Sequence, residues 1–144
     1  TIWGLSLKHT PYHIHRAIYE GTAYGTRNII EAITSRGVTL NEIYACGGGT
    51  RSKIWIQINA DVCGVPIYIP EIEEAGCLGS AISGAVGSGF FKDLQEGADH
   101  MVKIKSVIDP NLKNKDIYNF YFDKYRKTYD QLKELMHEMV RFTT

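Results

Sequence analysis

From Thr10 to about Ser35 the apolar and small residues recur every third or fourth position: Ile14, Ile18, Gly21, Gly25, Ile29 and Ile33. That period predicts a long helix, with Thr10 as its N-cap, Pro11 at its first position and Gly37 as its stop. Gly21 and Gly25 share one face and predict close packing of another backbone. Residues 1–10 ahead of the helix read as an extended lead-in.

The rhythm then changes. Residues 42–46 form a short apolar strand that runs into Gly47, Gly48 and Gly49, and a helix is predicted from about Arg51 to Val62. Its core face is expected to carry Ile54, Ile58, Asp61 and Val62, opposite Trp55, Gln57 and Asn59. Gly64 closes it, and Val65 to Pro70 is a strand bounded by proline. A helix of small residues follows from about Glu74 to Val86, suited to lying close under a sheet or helix. After Gly89 the pattern loosens as far as Asp109-Pro110-Asn111. The tail, from about Asp116 to Phe142, is periodic again: Tyr118, Phe122, Tyr125, Tyr129, Leu132, Met136 and Met139 alternate steps of four and three. That seam suits either a coiled-coil dimer or packing on the parent domain. Aromatics are poor coiled-coil core residues, which favours the second. Alternating helices and strands make an α/β protein.

At 144 residues the chain fits one domain with a real core. Sixteen Lys and Arg balance sixteen Asp and Glu, so charge draws it to neither nucleic acid nor an anionic membrane. No apolar run approaches the roughly 18 residues of a membrane span. Cys46, Cys63 and Cys77 lack any CxxC spacing, which argues against a disulfide framework or a zinc site; they are expected to be buried free thiols in a reducing compartment. The chain opens Thr1-Ile2-Trp3-Gly4 without an initiator methionine, which fits a processed protein or a piece of a longer one.

The glycine run is where chemistry is expected. Three residues without Cβ allow a sharp turn and a close ligand approach, and the following helix aims unpaired N–H groups and its positive dipole end at the same place. Strand, glycine turn and helix N-terminus together suit an anionic or nucleotide ligand, although such glycines also serve plain turns. Walker A is excluded because Lys53 is followed by Ile54, and the dinucleotide fingerprint because Ser52 stands where its third glycine belongs.

Four ordered segments carry a more specific signal. Cys46-Gly47-Gly48-Gly49-Thr50-Arg51-Ser52, with Trp55, Gln57, Ala60-Asp61-Val62 and Gly64-Val65-Pro66-Ile67, resembles the GGGxxS…W.Q..AD..G.P[VI] segment of the FGGY carbohydrate kinases. Glu73-Glu74-Ala75-Gly76-Cys77-Leu78-Gly79-Ser80-Ala81 is similar to their E…LGAA helix, and Arg16 to Tyr24 to their RAILEGxAY helix. Tyr118, Tyr121, Tyr125, Tyr129 and Leu132 resemble their last helix.

The resemblance, of the xylulokinase and gluconate-kinase type, implies a ribonuclease-H-like (actin-like ATPase) α/β domain. Residues 1–144 would be the later part of the second domain of a two-domain sugar kinase, ending in a long helix at about 116–142. It further implies ATP with Mg²⁺, a sugar or polyol substrate, a cytoplasmic location and relatives that often form homodimers. Gly48 and Gly49 would offer N–H groups and clearance to the ribose and α-phosphate, Ser52 a short polar contact to the adenine, and Arg51 a plane for the base. Thr50 is either a ligand or a helix cap.

No residue is assigned as catalytic or as a metal ligand. Asp61 is read as structural, Glu20 as a paired or capping carboxylate, and the His9, His13 and His15 group as unsuited to metal for want of acidic or cysteine partners. His100 and His137 read as surface residues. The phosphate loop and catalytic aspartate of such kinases precede everything present here, so these 144 residues are expected to be inactive alone. A stand-alone nucleotide-dependent interaction module, with the Tyr/Met tail as its partner face, is the alternative.

Overall fold

The computed structural model describes residues 1–143; Thr144, the last position of the expected domain, lies outside them. The elements are α1 (Pro11–Thr34), β1 (Ile43–Tyr44), a 3₁₀ turn (Gly48–Arg51), α2 (Lys53–Cys63), β2 (Ile67–Pro70), α3 (Ala75–Gly87), α4 (Leu94–Met101), β3 (Ile104–Ile108), a second 3₁₀ turn (Leu112–Asn114) and α5 (Lys115–Thr143). The α/β class and the long last helix are as predicted. The stretch after Gly89 is not loose, because it holds α4 and β3. Residues 104–108 are nearly all exposed and lack the alternation that marks a strand, so only pairing with β2 reveals them.

The sheet runs β1-β2-β3, with β1 parallel and β3 antiparallel to β2. Ile43, Ile67 and Ile108 stand in register across it, and a bulge falls between Ile69 and Pro70, where proline has no N–H to donate.

α2 is the wall between two cores. Ile56 and Ala60, one turn apart, pack with Ile67 against the sheet, joined by Ile43, Ala45, Trp55, Ile69 and Ile108. Ile58 and Val62, on the opposite side, pack with Ala23 and Tyr24 of α1 and Tyr118 and Phe122 of α5. Two stripes displaced by two residues lie about 200° apart on a helix, so α2 is buried on both sides. The expected division of faces therefore fails: Asn59 is buried beside Ile56, while Ile54 at the open end is exposed.

The α1 stripe is corrected as well. Ile18, Ile29 and Ile33 are exposed, and the buried residues are Ala23 and Tyr24, because α2 and α5 meet α1 on that other side. Gly21 has open space where a Cβ would stand, and Gly25 meets only the Tyr125 hydroxyl at 3.7 Å. In α3 only Ile82 is buried, and the close approach belongs to its neighbour α4: a Cβ on Gly97 would lie 2.7 Å from Ile82 Cγ2.

α5 divides in two. Tyr118 and Phe122 pack on the parent domain, whereas Tyr129, Met136 and Met139 are solvent-accessible. Arg27 lies over the Phe122 ring at 4.3 Å, and Arg126 reaches Glu31 at 3.3 Å.

Candidate functional site

The glycine turn is built from three glycines doing different jobs. Gly47 adopts φ 82°, a left-handed conformation that redirects the chain out of β1. Its N–H donates to the Glu73 carbonyl (3.1 Å), which ties the turn to the loop before α3. Gly48 has nothing within 4 Å of a would-be Cβ and faces open space. Gly49 is packed: its Cβ would stand 2.9 Å from Cζ3 of Trp55. The N–H groups that open the 3₁₀ turn have no carbonyl one turn ahead to pair with.

The helix begins two residues later than expected. Ser52 is the N-cap of α2, its Oγ accepting the Trp55 N–H at 3.3 Å. Thr50 is not a helix cap; its hydroxyl donates to the Gly47 carbonyl at 2.7 Å. The first turn of α2 holds no acidic residue and starts at Lys53, so its positive end is uncompensated within the helix. Gly48, Gly49, Arg51 and Ser52 thus fall together in one turn.

Arg51 is paired. Its Nε and Nη2 donate to Glu73 Oε2 at 3.1 and 2.8 Å, and the guanidinium pulls that carboxyl below the usual carboxylate range. The Arg51 side chain is 74% exposed, so the bond orders the turn more than it stabilises the fold. Glu73, 22 residues on, carries no local signal of this partnership.

Asp61, Glu20, His9 and His13, outside the glycine turn, make bonds within the fold. Asp61, at the far end of α2, accepts from Gln57 Nε2 (2.8 Å), Asn111 N–H (2.7 Å) and Asn114 Nδ2 (2.8 Å), binding the connection into α5 to α2. Glu20 pairs with Arg16 at 2.8 Å. His9 and His13 close local turns: their Nδ1 atoms accept the Ser6 and Thr10 N–H groups at 2.9 and 3.1 Å. The cysteine expectation is corrected. Cys46 and Cys77 are exposed, because neither the glycine turn nor the start of α3 is covered. Cys63 is partly buried, and desolvation pushes its thiol up to about 11. A cleft of about 590 Å³ beside Asp61, reached by Arg16, Lys53 and Asp109, includes none of the three glycines. Its cations and carboxylates are mixed, so charge alone selects no ligand there.

Residues 1–88 match the model of the FGGY family of carbohydrate kinases, C-terminal domain. The chain belongs to the FGGY family. It is 34% identical over 140 residues to a xylulose kinase of Staphylococcus epidermidis, covering 97% of this chain and 28% of that relative. It is 37% identical over 132 residues to a ribulokinase of Bacillus licheniformis, covering 88% of this chain and 24% of the relative. The crystal structure of xylulose kinase from Rhodospirillum rubrum superposes with a TM-score of 0.84 at 28% identity, over 95% of this chain and 28% of that one. The chain thus spans about a quarter of the length of these relatives. Among its described residues no helix is long and apolar enough to cross a membrane.

Proposed function

We propose that this FGGY chain is the nucleotide-binding portion of an ATP-dependent carbohydrate kinase that phosphorylates a hydroxyl of a sugar or polyol in the cytoplasm. Residues 1–144 are, in this reading, the later part of a ribonuclease-H-like second domain. The observation that carries it is Gly48, which leaves open space at the positive end of α2. Backbone N–H groups at Gly48 and Gly49 suit ribose and α-phosphate oxygens. The Ser52 oxygen is already an acceptor for Trp55, which leaves its O–H to donate to a ring nitrogen of adenine. Arg51 presents a guanidinium plane to the base while Glu73 holds it.

Other parts of the reaction come from elsewhere. The Mg²⁺ that accompanies ATP is, in this reading, carried by the phosphates and by groups outside this chain. The carboxylate that takes the hydroxyl proton also lies outside it, and these residues alone do not transfer phosphate.

Titration with MgADP, followed by amide chemical shifts, tests the placement. Saturable shifts at residues 47–53 that vanish in Gly48→Asp are expected. Saturation unaffected by that substitution moves the nucleotide elsewhere, and sugar-dependent ADP release from the 144 residues overturns their inactivity.

A further inference from the structure

Trp55 joins the glycine turn to α1. The indole ring lies under Gly49, where an added Cβ would stand 2.9, 3.3 and 3.4 Å from three ring carbons. Its Nε1–H donates to Thr22 Oγ1 at 3.1 Å, and that hydroxyl in turn donates to the Tyr19 carbonyl at 2.8 Å. The two bonds fix the hydroxyl's orientation, since one lone pair receives the indole while its proton is committed. The Trp55 backbone is held at both ends, its N–H by Ser52 Oγ and its carbonyl by Asn59 Nδ2 at 2.8 Å. The ring is held at Nε1 by Thr22 and its backbone by Ser52 and Asn59, which fixes the surface that faces Gly49.

We infer that Trp55, braced by Thr22, is a positioning residue that sets nucleotide affinity by holding the Gly48–Gly49 backbone in its binding geometry. The inference rests on the placement of the nucleotide at the glycine turn. The residue missing its side chain at position 49 is thereby explained by the protein itself: glycine there makes room for the indole, whereas glycine at position 48 makes room for the ligand. The ring touches no nucleotide in this account and acts only through the backbone above it.

The test is ADP affinity by calorimetry on the complete polypeptide that carries these residues, with Gly48→Asp, Gly49→Ala, Trp55→Leu, the Gly49→Ala/Trp55→Leu double variant and Thr22→Val. Thr22 is exposed, so Thr22→Val keeps the fold should a Trp55 variant lose it. Gly49→Ala and Trp55→Leu are each expected to weaken ADP by about tenfold, the scale on which small displacements of binding groups act. The double variant is expected to recover part of the loss, because the smaller leucine accommodates the added methyl, and Thr22→Val to weaken ADP about threefold. The KM for sugar stays unchanged in Thr22→Val. If Gly48→Asp abolishes ADP binding while the Gly49, Trp55 and Thr22 variants bind as before, the positioning role is overturned and the site stands. If the double variant shows the plain product of the two single losses, the contact is not the cause and the inference likewise fails. Unchanged affinity in Gly48→Asp removes the nucleotide from the turn, and the inference with it.

Discussion

α2 and α3 both follow the strand before them through a short loop, and both are rich in apolar or small residues, yet they meet opposite fates. Six of the eleven residues of α2 are buried, against one of the thirteen in α3. α2 has the sheet on one side and α1 with α5 on the other, while α3 has α4 as its one substantial neighbour. A helix's composition sets which faces can be buried; how many neighbours arrive decides whether they are. The proposed site follows the same division. The glycine turn leads into the helix that is held on both sides, so its end is presented from a fixed support.

The comparison can be broken most forcefully at Ile56, which is 1% exposed on the sheet side of α2. Ile56→Ala is expected to cost about 2–5 kcal/mol by lost burial and a residual cavity. Urea unfolding followed by Tyr and Trp signals should shift as one transition, because both cores share α2. Two separated transitions would show that the cores are independent. Gly97→Ala attacks the other helix through its neighbour, placing a methyl 2.7 Å from Ile82 Cγ2, and should cost about 1–3 kcal/mol. Amide exchange should quicken over residues 75–101 and stay unchanged over residues 53–63; quickening throughout would tie α3 to the main core.

Gly84→Ala sharpens the contrast with the opposite sign. Gly84 lies within α3 with nothing near its missing Cβ, so alanine should add about 0.5–1 kcal/mol by restricting the unfolded chain. A destabilised variant would mean that the small-residue face is covered. The smallest effect compares two thiols, Cys63 at the end of α2 and Cys77 in the first turn of α3. At pH 8, iodoacetamide should alkylate Cys77 well before Cys63, read by peptide mass spectrometry. Burial raises the Cys63 thiol from 9.0 to about 11, so the neutral form is favoured in the fold. Its contribution is complete below pH 9 and declines as pH rises towards 11, because the unfolded chain loses its proton first. Equal alkylation rates would show that α2 opens at this end as readily as α3.

Much of the frame was legible locally. Thr10 and Pro11 opened α1, Gly64 ended α2 in a left-handed φ of 71°, and the order of helices and strands fitted an α/β fold; α1 itself ends at Thr34 with Ser35 as its C-cap, ahead of Gly37. The glycine turn was legible for the same reason: backbone conformation at Gly47 and a helix start at Ser52 depend on residues a few positions apart. The burial of the α1 isoleucines and of Cys46 and Cys77 was misread, since periodicity and residue type report a preference for the interior and not the presence of a partner.

The sequence by itself determined where α1 begins and where α2 ends, and that three glycines would stand before a helix, because caps, left-handed turns and missing Cβ atoms act within a few residues. Its four ordered motifs also sufficed to mark the family. Only the tertiary structure decided that Gly48 faces open space while Gly49 lies on Trp55, that Arg51 meets Glu73, and that Asp61 binds the entry to α5. The last two join residues 22 and 50 positions apart, and their partners are chosen by how the helices and the sheet pack, a contest among long-range contacts that no local pattern records.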